Sequence, residues 1–448
     1  MAAIPAELKT FAAQLPTPLY AVGGFVRDAL LGRPSHDIDL CSALTPEQMQ
    51  ACAKAVGIPC PIVNERLGTV LLCFGDRKYE HTTFRTESYP AGGAHTPSAI
   101  AFTDSLEADA FRRDFSINAL YQNVLTGQIL DPTGGQADLA RGILRTTTPD
   151  PIDILRDDGL RILRLVRFAV TTGFAIDDAT WRCAKANVHL LDDIAWERKR
   201  QEFDRLLTEG DVFRALTLLK DCRALFCLIP ELSEADGLEQ RKDYHRYDVL
   251  THLIHTCAEM PNEAPLRLMG LLHDIGKPAC LRKTGNFHRH AVYSEAMART
   301  ILRRLTVPNA VIARVCLAVR EHMFDLDGKA KVSTIRKKLV ALGRQGSEDL
   351  IALREGDIRG SGYDTAYKAV RWRKVYEKMQ SDGCPWSADE LAVSGAELMQ
   401  ALHLAPSHEI AELKNRLLLH CVCHPQDNTK ERLLRIARDS VAKVRINC

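Results

Sequence analysis

The 448-residue chain carries 59 Lys and Arg against 57 Asp and Glu, a formal net charge of only +2, with 46% hydrophobic and 26% charged residues. These values fit a globular chain of about three domains at roughly 150 residues each and exclude wholesale disorder. No run approaches the ~18 apolar residues of a membrane span, and the charge balance excludes a uniformly basic nucleic-acid coat while leaving room for local basic patches.

The opening MAAIPAELKTFAAQLP lacks the basic start and apolar core of a secretory signal. Residues 18–30, LYAVGGFVRDALL, read as a short strand, a Gly-Gly turn and a helix, and HDIDLCS (36–42) as a second strand. Thr45-Pro46 opens a helix running to about Val56, with Thr45 as N-cap. TVLLCF (69–74) and KYEHTTF (78–84), parted by Gly75-Asp76-Arg77, predict a hairpin. Residues 86–103, rich in Gly, Pro, Ser and Thr, read as a long mobile loop of the functional kind. From Ser105 the pattern is helical, interrupted by a brief strand at QILD (128–131). ILRLVRFAV (162–170), LRLMGLLHDIG (266–276) and ELKNRLLLHCV (412–422) all carry helical apolar spacing. The fold class is therefore α+β: an N-terminal α/β head with a mixed sheet, about 140 residues long, then an all-α body. Fourteen cysteines include no CxxC pair and sit mostly in apolar runs, which suits the reduced thiols of a cytoplasmic protein better than disulfides or structural zinc.

Asp37 and Asp39, spaced i, i+2, share one face of a strand. Adjacent carboxylates repel, and a divalent cation such as Mg²⁺ relieves the repulsion while bridging to substrate phosphates. Such a pair also arises by chance on a surface. Its context is more specific: Gly23-Gly24 precedes a helix carrying Arg27, a turn whose backbone N–H groups and guanidinium suit a triphosphate.

GGFVRDALLGRPSHDID (23–39) resembles the signature of class II tRNA nucleotidyltransferases and bacterial poly(A) polymerases. In order, YEHTTFRTESY (79–89), FRRDFSINAL (111–120), DPTGGQADLARGILR (131–145) and DDGLRILRLVRF (157–168) resemble that family's neighbouring strand and loop, ribose-reading, hinge and base-selecting motifs. The resemblance implies Asp37 and Asp39 as Mg²⁺ ligands, with Glu80 either a third carboxylate or a strand-face charge. It implies Gly24 and Arg27 at the triphosphate, and Arg113 and Asp114 at the ribose 2′-hydroxyl.

Asp158 and Arg161 lie i, i+3 on a predicted helix, and Arg164 and Arg167 continue at threes, so the four share one face. In isolation this reads as a surface salt-bridge ladder, yet the arginines lie in a mostly apolar segment. A carboxylate paired with a guanidinium accepts from the exocyclic amine of C or A and donates to the adjoining ring acceptors. Uracil and guanine mismatch both contacts. The family usually has Glu at the position of Asp157, an acid implied to orient the arginine, so the shorter side chain loosens that support.

A His-Asp doublet ends the apolar run LRLMGLLHDIG, where both side chains are costly to bury unless they bind something. With other histidines and acids around it, the order resembles an HD phosphohydrolase domain. That implies a site of His252, His273, Asp274, His290, His322 and Asp357, holding a second divalent transition metal and having phosphatase or cyclic phosphodiesterase activity. The rival reading is a relic that only grips RNA.

Basic residues gather at 329–344 (Lys329, Lys331, Arg336, Lys337, Lys338, Arg344) and at 367–378 (Lys368, Arg371, Arg373, Lys374, Lys378, interleaved with Tyr367, Trp372 and Tyr376). They read either as an RNA grip, cations on phosphates and rings on bases, or as solvated helix faces. The end, from VSGAELMQAL onward, resembles the tRNA-elbow domain of bacterial CCA-adding enzymes, with Ser407 where glycine is common. The implied layout is a nucleotidyltransferase head (1–140), a helical neck (141–230), an HD domain (231–380) and a helical tail (381–448). The implied partners are tRNA, CTP and ATP, with no membrane. Full CCA addition is the leading reading; relatives restricted to CC addition tend to lose the 86–103 segment, so its retention here with Arg85 implies full CCA or A-only addition. An A-adding enzyme, a poly(A) polymerase, and an HD hydrolase or RNA-binding regulator with an inactive head are the alternatives.

Overall fold

The computed structural model describes residues 4–35, 37–89, 97–241, 243, 245–363 and 370–446, the side chains of 442–446 excepted. The chain divides into two compact units, Met1–Pro230 and Glu231–Cys448.

The first unit is built on a seven-stranded mixed sheet ordered β3-β4-β5-β2-β1-β8-β9. Its strands are β1 (Tyr20–Val22), β2 (Asp39–Ser42), β3 (Ile62–Asn64), β4 (Thr69–Phe74), β5 (Arg77–Thr83), β8 (Tyr121–Asn123) and β9 (Ile129–Leu130). β2 runs antiparallel to β1 and parallel to β5, with Leu40 opposite His81. Val22, Cys41, Phe84, Leu106, Ala110, Ala119 and Tyr121 form a core beneath β1 and β2. The helix Pro46–Ala55 starts on a capping box in which the Thr45 hydroxyl accepts from the Gln48 N–H and the Gln48 side chain accepts from the Thr45 N–H. The β4–β5 hairpin pairs Phe74 with Arg77 across the Gly75-Asp76 turn.

Three expectations are corrected here. Strand β2 begins at Asp39, so Asp37 lies just outside it; His36 lies outside the described residues. The segment expected as a long loop is, in its described part, a two-stranded ribbon of β6 (Arg85–Ser88) and β7 (Ala99–Phe102), with Glu87 opposite Ile100. Its turn and loop residues hid a short antiparallel pairing; residues 90–96 lie outside the described set. Finally, Asp158 is not helical. One helix spans Pro151–Asp157, Asp158 is extended (φ −150°, ψ 105°), and a second spans Leu160–Thr172. Gly159 sits in the break, where a Cβ would fall 2.1 Å from the Leu190 carbonyl oxygen, so only glycine fits the approach.

Among its described residues the second unit is helical, from Val249–Glu259 to Lys430–Ile446. Trp372 and Tyr376, expected as rings for stacking on bases, are buried in a core with Leu339, Ile351 and Trp386. The Trp372 indole N–H donates to Asp325 (3.1 Å) and the Tyr376 hydroxyl to Glu348 (2.7 Å). Helical spacing, not RNA contact, put aromatics among those cations. Tyr367 and Lys368 lie outside the described residues. Arg336, Arg344, Arg371, Arg373 and Lys378 pair with carboxylates of the same unit, whereas Lys331, Lys337 and Lys374 stand exposed. The described cysteines are free thiols, and no helix among the described residues is long and apolar enough to cross a membrane.

Candidate functional site

The β2–β5 register sets Glu80 beside Asp39, with Asp37 just ahead on the chain. Desolvation by the surrounding chain, then the Asp37 and Glu80 carboxylates, push the Asp39 carboxyl above its ordinary value, while Arg113 opposes them, although the residue keeps an accessible surface. Three carboxylates facing one another with too little compensating charge form a place where a divalent cation is stabilising. All three remain exposed, so substrate and ions can reach them.

Behind them lies a network of held arginines. Gly23, at φ 74°, turns the chain from β1 into the helix Gly24–Leu30. Arg27 on that helix donates to both carboxylate oxygens of Asp28 (2.8 and 2.9 Å) and to the Asn118 side chain (2.8 Å). Arg113 donates to Asp109 Oδ2 (2.9 Å) and to the Tyr121 hydroxyl (2.9 Å). Asp109, fully buried, also takes two bonds from Arg112 (2.8 and 2.6 Å) and one from Tyr121 (2.7 Å). Burial raises the Asp109 carboxyl, but Arg113 and Arg112 reverse this and hold it far below the usual range. Asp114, also buried, accepts from Arg164 twice (2.9 and 2.6 Å). Burial again works against ionisation, and Arg164 outweighs it. Arg27 and Arg164 both stand 5.4 Å from the Phe168 ring centroid.

The base-selecting candidates are positioned individually. Asp158 Oδ1 accepts from the Leu160 N–H (3.0 Å) and Oδ2 from Arg198 (2.7 Å), so each oxygen keeps a free lone pair. Arg161 is buried and donates to the carbonyls of Ile154 (2.8 Å) and Arg112 (2.9 Å), leaving other N–H groups of its fork unspent. Asp157 stands 3.6 Å from Arg161, an ion pair without a hydrogen bond. Arg167 gives its Nε–H to Glu202 (2.8 Å), compensating its charge inside the protein.

In the second unit, helix ends bring the HD residues together. His273 caps the helix Ala264–Leu272, and Asp274 follows in the turn leading to Lys277–Thr284. Each histidine gives its Nδ1–H to a backbone carbonyl: His252 to Gly360 (3.2 Å), His273 to Gly270 (2.9 Å), His290 to Phe287 (2.8 Å) and His322 to Val319 (2.6 Å). That fixes the tautomer and leaves four Nε2 atoms to converge. His252 and His273 meet Nε2 to Nε2 at 3.3 Å, and His290 and His322 at 3.1 Å. Lone pairs so placed repel unless a cation or a proton lies between them. Burial lowers the His273 imidazole, yet Asp274 and Asp357 push it up to about 10, so the site demands positive charge. Ligand atoms within 4.8 Å of one another group His252, His273 and Asp357; Asp274, His290 and His322; and His245, His252 and Asp274. The donor set therefore fits divalent metal ions.

The sequence reading missed Asp109, Tyr121, Arg198, His245 and Lys277, the last held beside Asp274. Asp109 carried a signal, lying i, i+3 and i, i+4 from Arg112 and Arg113 on a predicted helix. Arg198 carried none.

Family models match along the chain: poly A polymerase head domain at residues 19–145, probable RNA and SrmB-binding site of polymerase A at 173–236, and HD domain at 243–357. A multifunctional CCA protein of Burkholderia mallei is 31% identical over 88% of this chain and 98% of its own; one of Ralstonia nicotianae is 33% identical over 88% and 94%. The fold is similar to the Bacillus stearothermophilus CCA-adding enzyme crystallised with CTP (24% identity, TM-score 0.69, all of both chains). It is also similar to the Thermotoga maritima enzyme complexed with tRNA (18%, TM-score 0.64, 97% and 94% of the chains). Sequence shared at that level along nearly the whole length places the chain in the family of multifunctional CCA proteins.

Proposed function

We propose that this chain is a CCA-adding tRNA nucleotidyltransferase, building the 3′-terminal CCA from CTP and ATP with release of pyrophosphate. The observation that carries the reading is the crowding of Asp37, Asp39 and Glu80 beside the arginine network of Arg113 and Arg112. Relatives named multifunctional CCA protein support it. Divalent ions held by Asp37, Asp39 and Glu80, Mg²⁺ in this reading, would activate the tRNA 3′-hydroxyl and neutralise charge on the departing pyrophosphate. Gly24 and Arg27 orient the triphosphate, and Arg113 and Asp114 read the ribose. Asp158 accepts from the amino group of C or A, Arg161 donates to the ring, and Arg164 and Arg167 hold the wall behind them. A new O–P bond forms at the α-phosphate as the α–β bridge breaks.

The layout follows these roles: head 1–140, neck 141–230, HD domain 231–380 and tail 381–448. The tail grips tRNA, joined by Lys331, Lys337 and Lys374, which stand exposed on the HD stretch ahead of it, and the protein works in the cytoplasm. Incubating labelled CTP or ATP with tRNA ending at the discriminator base, C or CC tests the reading. Extension of all three to CCA supports it, whereas ATP addition to the CC form alone means an A-adding enzyme.

The convergent Nε2 atoms favour a second activity, metal-dependent phosphohydrolysis at the HD site with a transition metal. Phosphatase and cyclic phosphodiesterase assays of His273→Ala and Asp274→Ala, beside metal analysis, test it. Activity unchanged in both variants rejects it.

A further inference from the structure

His245 lies outside the six HD residues that the sequence pattern implies. Its ring packs edge-on against His252, centroids 4.4 Å apart, and its Nδ1 is buried without a hydrogen-bond partner. An unpaired buried acceptor or donor is costly and needs a reason. One of its ring nitrogens lies within 4.8 Å of ligand atoms of both His252 and Asp274.

His252 decides what that proximity means. Its Nδ1–H is committed to Gly360, so Nε2 is its single ligand atom. That atom stands 3.1 Å from Asp357 Oδ1, 3.3 Å from His273 Nε2 and 3.7 Å from Asp274 Oδ2. One imidazole nitrogen serves one ion. The group containing His245 and the group containing His273 and Asp357 are therefore one coordination sphere, not two. Asp274 reaches both sides: Oδ2 faces His252 and His273, and Oδ1 faces His290 (2.7 Å) and His322 (3.4 Å). Lys277 sits 2.5 Å from Oδ2, which retains a second lone pair.

We propose that His245 is a further ligand of the HD centre, completing the sphere of His252, His273, Asp274 and Asp357. This rests on the HD domain holding two divalent ions. Three imidazoles and two carboxylates then saturate one position, while the other has only His290, His322 and Asp274. The centre is asymmetric: a closed ion that holds the helices together, and an open one with room for water and a phosphate ester.

The test is titration of the metal-free full-length protein with Co²⁺, read by its visible absorption and by bound-metal stoichiometry. With excess Mg²⁺ present to occupy the carboxylate site of the head, the wild type takes up two equivalents of Co²⁺ at the histidine-rich centre. His245→Ala weakens one of them by at least about 10–100-fold, the loss that follows even when a residue merely supporting a ligand is removed. It leaves the other equivalent and CCA addition unchanged. Two equivalents bound with wild-type affinity and spectrum in His245→Ala overturn the proposal and leave the hydrolase reading standing. A wild type that binds no Co²⁺ overturns both. Should His245→Ala melt early in its metal-free form, His245→Phe, which keeps ring volume without a donor, is read in its place with the same two outcomes.

Discussion

Arg198 donates a 2.7 Å hydrogen bond to Asp158 Oδ2 from a helix forty positions further along the chain. With the Leu160 N–H on the other oxygen, it clamps Asp158 in the break between two helices. The direction of the carboxylate is thus fixed by the protein itself.

Asp158→Ala is expected to relax discrimination against UTP and GTP by about 1–3 kcal/mol, roughly 5- to 150-fold, as well as lowering the rate. Arg198→Ala should do the same to a smaller extent, because the carboxylate remains but loses its clamp. Single-nucleotide incorporation with each of the four triphosphates reads both. Wild-type selectivity in Asp158→Ala would remove it from the base site.

Asp39→Asn should slow nucleotide addition by about 10³-fold, equivalent to roughly 4 kcal/mol of lost charge stabilisation. Metal bound at the HD site should not change, since its ligands belong to another set of helices. Parallel measurement of CCA addition and of Co²⁺ uptake separates the two centres; loss of both would point to misfolding instead.

Asp109 is buried among Arg112, Arg113 and Tyr121, a position from which it acts on stability. Removing its charge leaves Arg112 and Arg113 short of a buried partner, and Asp109→Asn should destabilise the first unit by about 3–5 kcal/mol in urea unfolding. Its folded carboxyl lies below its unfolded value, so the stabilisation is present above about pH 4 and is lost as pH falls through the folded value. The acid-induced fall in stability should therefore be shallower in the variant than in the wild type.

Stripping metal with a chelator should lower the melting temperature of the second unit. Ions held at 100 times their dissociation constant contribute about 2.7 kcal/mol, or about 5–10 °C for a unit of this size. Scanning calorimetry before and after removal measures it. An unchanged melting profile would mean that the convergent histidines hold no ion that matters to the fold.

Local patterns in the sequence determined a good deal. The i, i+2 carboxylates, the Gly-Gly turn, the β4–β5 hairpin, the capped helix at Pro46 and the helical body are all set within a few residues, where periodicity and turn chemistry act. The His273–Asp274 doublet announced itself because two ionisable groups at the end of an apolar run need a partner. Relations between distant segments were decided only by the tertiary structure. Asp158 left the helix because Gly159 packs against Leu190, and neither residue signals this alone. Trp372 and Tyr376 turned inward because burying a ring outweighs displaying it, whatever charges flank it in sequence. Arg198 and His245 joined their sites through folding, from positions with no spacing relation to Asp158 or Asp274. The +2 net charge is set by the sequence, but which cations stay available was decided by folding: most described cations of the two basic stretches pair with carboxylates of the same unit, leaving a few exposed lysines rather than a basic coat.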